Sequence, residues 1–180
     1  MQEGRGHHNQ RGLTLIEVCM TLAIAVVLLG TAIPSFQRQT LQRSIEGTAS
    51  QLVTDLQFLR SEAVARNQPV RVSFASVAGG SCYVMHTGGA GDCTCNASGP
   101  ATCVDGAQEI KTTFLPDASG ARLQTNVASM VFAPLHGTVT PASTIRVVGA
   151  DGRAIHNVVN IMGRVRSCSP SNAVRGYPAC

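Results

Sequence analysis

The sequence predicts an α+β protein in which one long N-terminal helix packs on a mostly antiparallel β-sheet. Three observations predict it. Apolar residues run almost unbroken from Leu13 to Ile33. A spacing of three and four residues then continues from Ile45 to Ala63. Beyond Pro69 the pattern shortens to alternation, in segments punctuated by Gly, Pro and Asp.

The first run, LTLIEVCMTLAIAVVLLGTAI, is about 21 residues long and matches a helix crossing a hydrocarbon core about 30 Å thick. Arg5 and Arg11 precede it, so the N-terminus stays cytoplasmic and the rest of the chain is sent outward. A cleaved secretory signal would have a shorter apolar region, about 7 to 15 residues, followed by a small-x-small site. Glu17 stands out, because an ionisable group inside an apolar helix is costly in lipid and marks a functional candidate. In a subunit packed against copies of itself, its carboxylate could pair with another chain's α-amino group, offsetting desolvation only when the copies are in register.

Pro34 removes a backbone donor and predicts a kink rather than an end, because the helical period resumes at once. Ile45, Ala49, Leu52, Leu56, Leu59 and Ala63 form one apolar face, with Gln42, Arg43, Glu46, Gln51, Asp55 and Arg66 placed mostly off it. The helix is expected to end at Asn67-Gln68, before Pro69. Strands are expected over 70–74, 82–86, 110–115, 130–133, 144–148 and 154–161, with a Gly-rich, cysteine-bearing loop over 88–106. The organisation expected is a leader at 1–12, an apolar helix at 13–34 and an extracytoplasmic domain at 35–180. Within that domain the amphipathic helix occupies 35–68, the sheet 69–162 and a basic tail 163–180.

The net charge of +4 lies wholly in the C-terminal fifth, where Arg146, Arg153, Arg164, Arg166 and Arg175 face one acid, Asp151. Of seven cysteines, Cys19 sits in the apolar run and reads as inert. The even set of Cys82, Cys93, Cys95, Cys103, Cys168 and Cys180 reads as disulfides in an oxidising compartment, with connectivity open. Cys82, Cys93, Cys95 and Cys103 lack the paired C-x-x-C spacing of structural zinc, so no metal is expected. His86, His136 and His156 fall on separate elements with no nucleophile or carboxylate at instructive spacing, and His7 and His8 lie in the leader. The sequence therefore predicts neither an enzyme nor a cofactor.

Arg11-Gly12-Leu13-Thr14-Leu15-Ile16-Glu17 resembles the type III signal of type IV pilins and pseudopilins, with Leu13 where these families usually carry Phe. That resemblance implies a pilin fold and cleavage by prepilin peptidase after Gly12, with N-methylation of Leu13. It implies assembly with other pilins through Glu17, residence as a single-pass inner-membrane protein with a periplasmic domain, and export to a pilus at the cell surface. Leu52-x-x-x-Leu56-x-x-x-Arg60-Ser61-Glu62-Ala63, Arg66-Asn67-Gln68-Pro69-Val70, Phe132 with Gly137, and Gly163-Arg164 are similar to the pattern of FimT/GspH-type minor pilins.

Gly163-Arg164-Val165-Arg166 bears on function in its own right. In an extended chain Arg164 and Arg166 project to the same side about 7 Å apart, close to the phosphate spacing of a nucleic-acid strand. A Cys168–Cys180 bridge would close a loop presenting Arg175, which loses less entropy on binding than a free tail. The bland reading is an edge strand whose charges discourage aggregation. The segment resembles the GRxR motif of FimT-type minor pilins that bind DNA in natural transformation, which implies Gly163, Arg164 and Arg166 as DNA contacts, helped by Arg175 and Arg153. The alternatives kept open are a structural or priming minor pilin and a GspH-type pseudopilin of type II secretion.

Overall fold

The computed structural model describes residues 12, 14–97, 99–104 and 106–180, with side chains at all of these but 31–35. Leu13 and the leader residues 1–11, with Arg5, Arg11, His7 and His8, lie outside the described residues. The chain divides into two compact units at Gln39/Thr40.

One helix, α1 (Leu15–Arg66), belongs to both units and continues through position 34. Thr14 caps it, and its Oγ1 accepts from the Glu17 amide at 3.4 Å. Thr14-x-x-Glu17 is thus a capping-box sequence, which also sets an acid against the positive end of the helix. In the first unit Leu15, Ile16, Met20, Ile24, Val27 and Phe36 are all exposed, so over 15–29 the helix presents apolar side chains on every side, with Glu17 the one charged residue. Among the described residues no helix is long and apolar enough to cross a membrane. The described side chains at 15–30 span a rise of about 24 Å, short of a full hydrocarbon core.

In the second unit α1 ends as the sequence predicts. Asn67 adopts φ +50°, and the amides of Asn67 and Gln68 donate back to the Val64 and Ala63 carbonyls at 3.2 and 3.3 Å. These paired back-bonds satisfy the last turn, with Asn in place of the usual Gly.

The strands form two main antiparallel sheets. The five-stranded sheet runs in the order β5 (Glu109–Pro116), β2 (Gly80–Thr87), β1 (Val70–Val77), β7 (Ser129–Phe132), β8 (Val139–Thr140). The four-stranded sheet runs β11 (Val165–Cys168), β10 (Ala154–Val159), β9 (Ser143–Gly149), β6 (Ala121–Thr125). A small ribbon pairs β3 (Cys93–Thr94) with β4 (Thr102–Cys103) in the cysteine loop. The six predicted strands correspond to β1, β2, β5, β7, β9 and β10. β3, β4, β6 and β8 lie outside the strands expected from the sequence, and β11 falls in the segment expected as a tail.

All six predicted apolar residues of the helix, Ile45 to Ala63, are 1% exposed or less. They share one core with Val72, Met85 and Phe132 of the larger sheet and Ile145, Val147 and Ile155 of the smaller. Burying each Leu or Ile contributes about 1.5–3 kcal/mol, so this face is a large part of the domain's stability.

Asp55 corrects the expectation that it lies off that face, because it is only 5% exposed. Tyr83 Oη donates to its Oδ2, and Lys111 Nζ to its Oδ1, both at 2.7 Å. The carboxylate therefore pins α1 to β2 and β5. Burial pushes the Tyr83 phenol well above its usual range, and the Asp55 carboxylate adds to that.

Two substitutions test this packing by denaturant unfolding. Leu52→Ala is expected to cost about 3 kcal/mol through the cavity it leaves. Lys111→Met, which strips the buried carboxylate of its cation, is expected to cost about 2 kcal/mol.

Candidate nucleic-acid interface

The four-residue motif lies in the β10–β11 hairpin. Val159 and Val165 form its last strand pair, and residues 160–164 make the turn. Asn160 organises this turn. Its Oδ1 accepts from the amides of Met162 and Arg164 at 3.0 and 2.9 Å, and its carbonyl accepts from Gly163 N at 2.9 Å. Gly163 has φ +71°, and a Cβ there would lie 2.6 Å from the Gly137 carbonyl oxygen. The glycine is thus required by the turn and by the neighbouring backbone.

That neighbour is the β7–β8 turn, where Gly137 adopts φ +59° and lies so close to the Arg60 side chain that a Cβ there would displace it. Arg60 lies against Gly137 and near Gly163, with Nη2 3.5 Å from the His136 carbonyl. The structure therefore joins three residues that the sequence scatters over more than a hundred positions. An open groove of about 730 Å³ beside them is lined by Gln57, Arg60, Ser61, Val64, Gly163 and Arg164.

Arg164 and Arg166 are exposed on either side of half-buried Val165. Neither makes an ion pair among the described residues. Arg175 is also exposed, in the loop closed by the Cys168–Cys180 disulfide. Buried Ser169 holds that loop, donating from Oγ to the Ala154 carbonyl at 2.9 Å and accepting the Val174 amide at 3.1 Å. Val174 is fully buried in the core. Burial, and then the Glu46 charge, raise the Tyr177 phenol above its ordinary value.

Arg153 is placed differently. Its guanidinium contacts Asp151 Oδ2 at 2.6 Å and Gln42 Oε1 at 3.0 Å. Slight burial opposes ionisation of Asp151, but the bonds from Arg153 outweigh it and hold the carboxyl below the usual range. Two arginines with no assigned role in the sequence reading belong to the same sheet. Arg146 and Arg122 are exposed between buried neighbours on β9 and β6. Their signal was period-two alternation, which turns Ile145 and Val147 inward and Arg146 outward. His156 faces Arg146 across β9–β10. Partial burial and the Arg146 charge lower its pKa, so at neutral pH Arg146 carries the charge of that row.

The remaining cysteines pair as Cys93–Cys103, which joins β3 to β4, and Cys82–Cys95, which staples that ribbon to β2, while Cys19 is a free, exposed thiol. His86 is a core residue, its Nδ1 donating to the Thr87 carbonyl at 2.8 Å and its Nε2 2.9 Å from Ser73 Oγ. At the other end of the chain Gly12 and Glu17 are exposed, and Leu13, the expected methylation site, lies outside the described residues.

Residues 48–163 match the profile of the family described as Type II transport protein GspH. The matched span ends one residue before Arg164. Among solved structures, the type IV minor pilin FimU of Pseudomonas aeruginosa strain PAO1, in crystal form P21, is similar with a TM-score of 0.50 at 18% identity. That similarity covers 74% of this chain and 98% of FimU. The P65 form gives 0.46 at 16% identity, over 71% of this chain and 98% of FimU. What is shared with FimU is the pilin-like fold. No curated protein matches the chain.

The glycine at the turn yields a test. Gly163→Ala combines a left-handed backbone with a clash against the Gly137 carbonyl, and is expected to cost about 2 kcal/mol in thermal or denaturant unfolding.

Proposed function

Since the chain belongs to the GspH family, we propose that it is a minor type IV pilin that joins a pilus and binds extracellular DNA for uptake in natural transformation. The observation that carries this reading is the exposed pair Arg164 and Arg166, without an ion pair among the described residues, on a hairpin fixed by Asn160 and Gly163. Arg175 adds a third cation from a disulfide-closed loop. Arg153, already bonded to Asp151 and Gln42, contributes less. Contacts of this kind fall on phosphates and carry no base information, so binding is largely independent of sequence.

Assembly uses the other end of the chain. Prepilin peptidase cuts after Gly12 and the new Leu13 terminus is methylated. The all-round apolar helix rests in the inner membrane with the second unit in the periplasm, and then enters the filament core. A helix apolar on every side needs a cover, and lipid followed by neighbouring subunits supplies it. Glu17 then pairs with the α-amino group of an adjacent subunit, which places the copies in register.

The family's description supports a second reading, a pseudopilin of type II secretion. Deletion of the gene separates the two, because loss of DNA uptake with intact protein secretion fits the first and the reverse fits the second.

The DNA site is tested on the full chain in nonionic detergent. Duplex DNA is titrated by gel shift over a salt series, comparing wild type with the Arg164→Gln, Arg166→Gln double variant. With two to four phosphate contacts the wild type is expected to lose affinity with a log–log slope of about −0.9 per contact, and the double variant to bind far more weakly. Equal binding by both proteins would remove these residues from the site.

A further inference from the structure

The hairpin arginines continue into a longer cationic stripe. Strand register puts Arg166 opposite Val158, which in turn faces Thr144, so Arg166 stands level with Thr144 across the sheet. Arg146 lies two strands and two residues away on the same face, about 12 Å by strand geometry. Arg122 pairs with Val148 and so stands one strand and two residues beyond Arg146, about 8 Å further. Arg164 of the hairpin turn, Arg166 of β11, Arg146 of β9 and Arg122 of β6 therefore trace a diagonal of about 27 Å.

The face is built for this. Arg146 and Arg122 are exposed while their strand neighbours are buried, so both point away from the core. None of β6, β9, β10 and β11 contains an acidic residue. Among the described residues the carboxylate paired with the stripe is Asp117, 3.0 Å from Arg122 at its far end and itself exposed. Nor does any of the four strands carry a Phe, Tyr or Trp. Sheets that hold single strands do so by stacking bases on aromatic rings, each stack contributing about 1–3 kcal/mol. This face offers guanidinium groups and no stacking platform, a combination suited to the denser charge of a duplex backbone.

We propose that the outer face of the four-stranded sheet, centred on Arg146, extends the hairpin site into a track for the phosphate backbone of double-stranded DNA. The inference rests on the DNA-binding reading above and adds a ligand form and a residue to it. Arg146 contacts phosphate directly, and neutral His156 beside it leaves the charge of that row to the arginine.

The test uses the full chain in nonionic detergent with duplex and single-stranded DNA of equal length. Arg146→Gln is expected to weaken duplex binding several-fold and to make the salt slope shallower by about 0.9, the share of one phosphate contact. Arg146→Lys is expected to restore the slope. Arg146 is exposed, and an unchanged unfolding midpoint verifies that each variant is folded. An unchanged slope in Arg146→Gln, with binding still lost in the Arg164, Arg166 double variant, overturns the track and leaves the hairpin site standing. Tighter binding of the single strand than of the duplex overturns the duplex assignment. Absence of DNA binding by the wild type overturns both this inference and the reading on which it rests.

Discussion

Everything in the folded unit depends on burying one face of α1 against two antiparallel sheets. Ile45, Ala49, Leu52, Leu56, Leu59 and Ala63 supply that face, and strands from both sheets close over it. An apolar stripe fixes which side of a helix faces inward but tolerates small rotations and slides. Asp55 removes much of that freedom. Its two carboxylate oxygens hold Tyr83 and Lys111 on adjacent strands, so a slide of the helix would strand a buried charge. The same docking carries Arg60 to the β7–β8 and β10–β11 turns, where two glycines at positive φ make room for it. Helix position thereby sets hairpin position.

Two kinds of cation follow from this arrangement. Lys111 and Arg153 have partners within the domain and act as structural groups. Arg164, Arg166, Arg175 and Arg146 sit on surfaces where strand alternation, a tight turn or a closed loop directs them to solvent. Holding like charges close together on a rigid frame costs some self-repulsion, which a polyanion relieves on binding. Fixing the frame beforehand also lowers the entropy lost on binding. The hairpin bonds of Asn160 and the Cys168–Cys180 loop provide that fixing.

Much of the fold was legible in the sequence because it is written in local periodicities. The helix face, the helix end before Pro69 and six strands followed from spacing and from breakers alone. Short strands such as β8, only Val139–Thr140, carry too few residues for alternation to register. β11, only four residues long, was hidden by the arginines at 164 and 166 and by its proximity to the C-terminus. Asp55 was misplaced because its charge was read as surface, although its spacing of three from Leu52 and four from Leu59 puts it on the buried side. The arginine pair was visible as a motif. Its link to Arg60 and Gly137, and the role of Arg146, needed strand order and register, which no local pattern reports.

The most direct test of the account is amide NMR of the isotope-labelled full chain in detergent micelles during titration with a short DNA duplex. Shift changes are expected to concentrate at residues 160–168, at Arg175 and on the outer face around Arg146, while the β3–β4 ribbon and the buried face of α1 stay unchanged. Changes confined to the cysteine ribbon, or none on saturation with duplex, would contradict it.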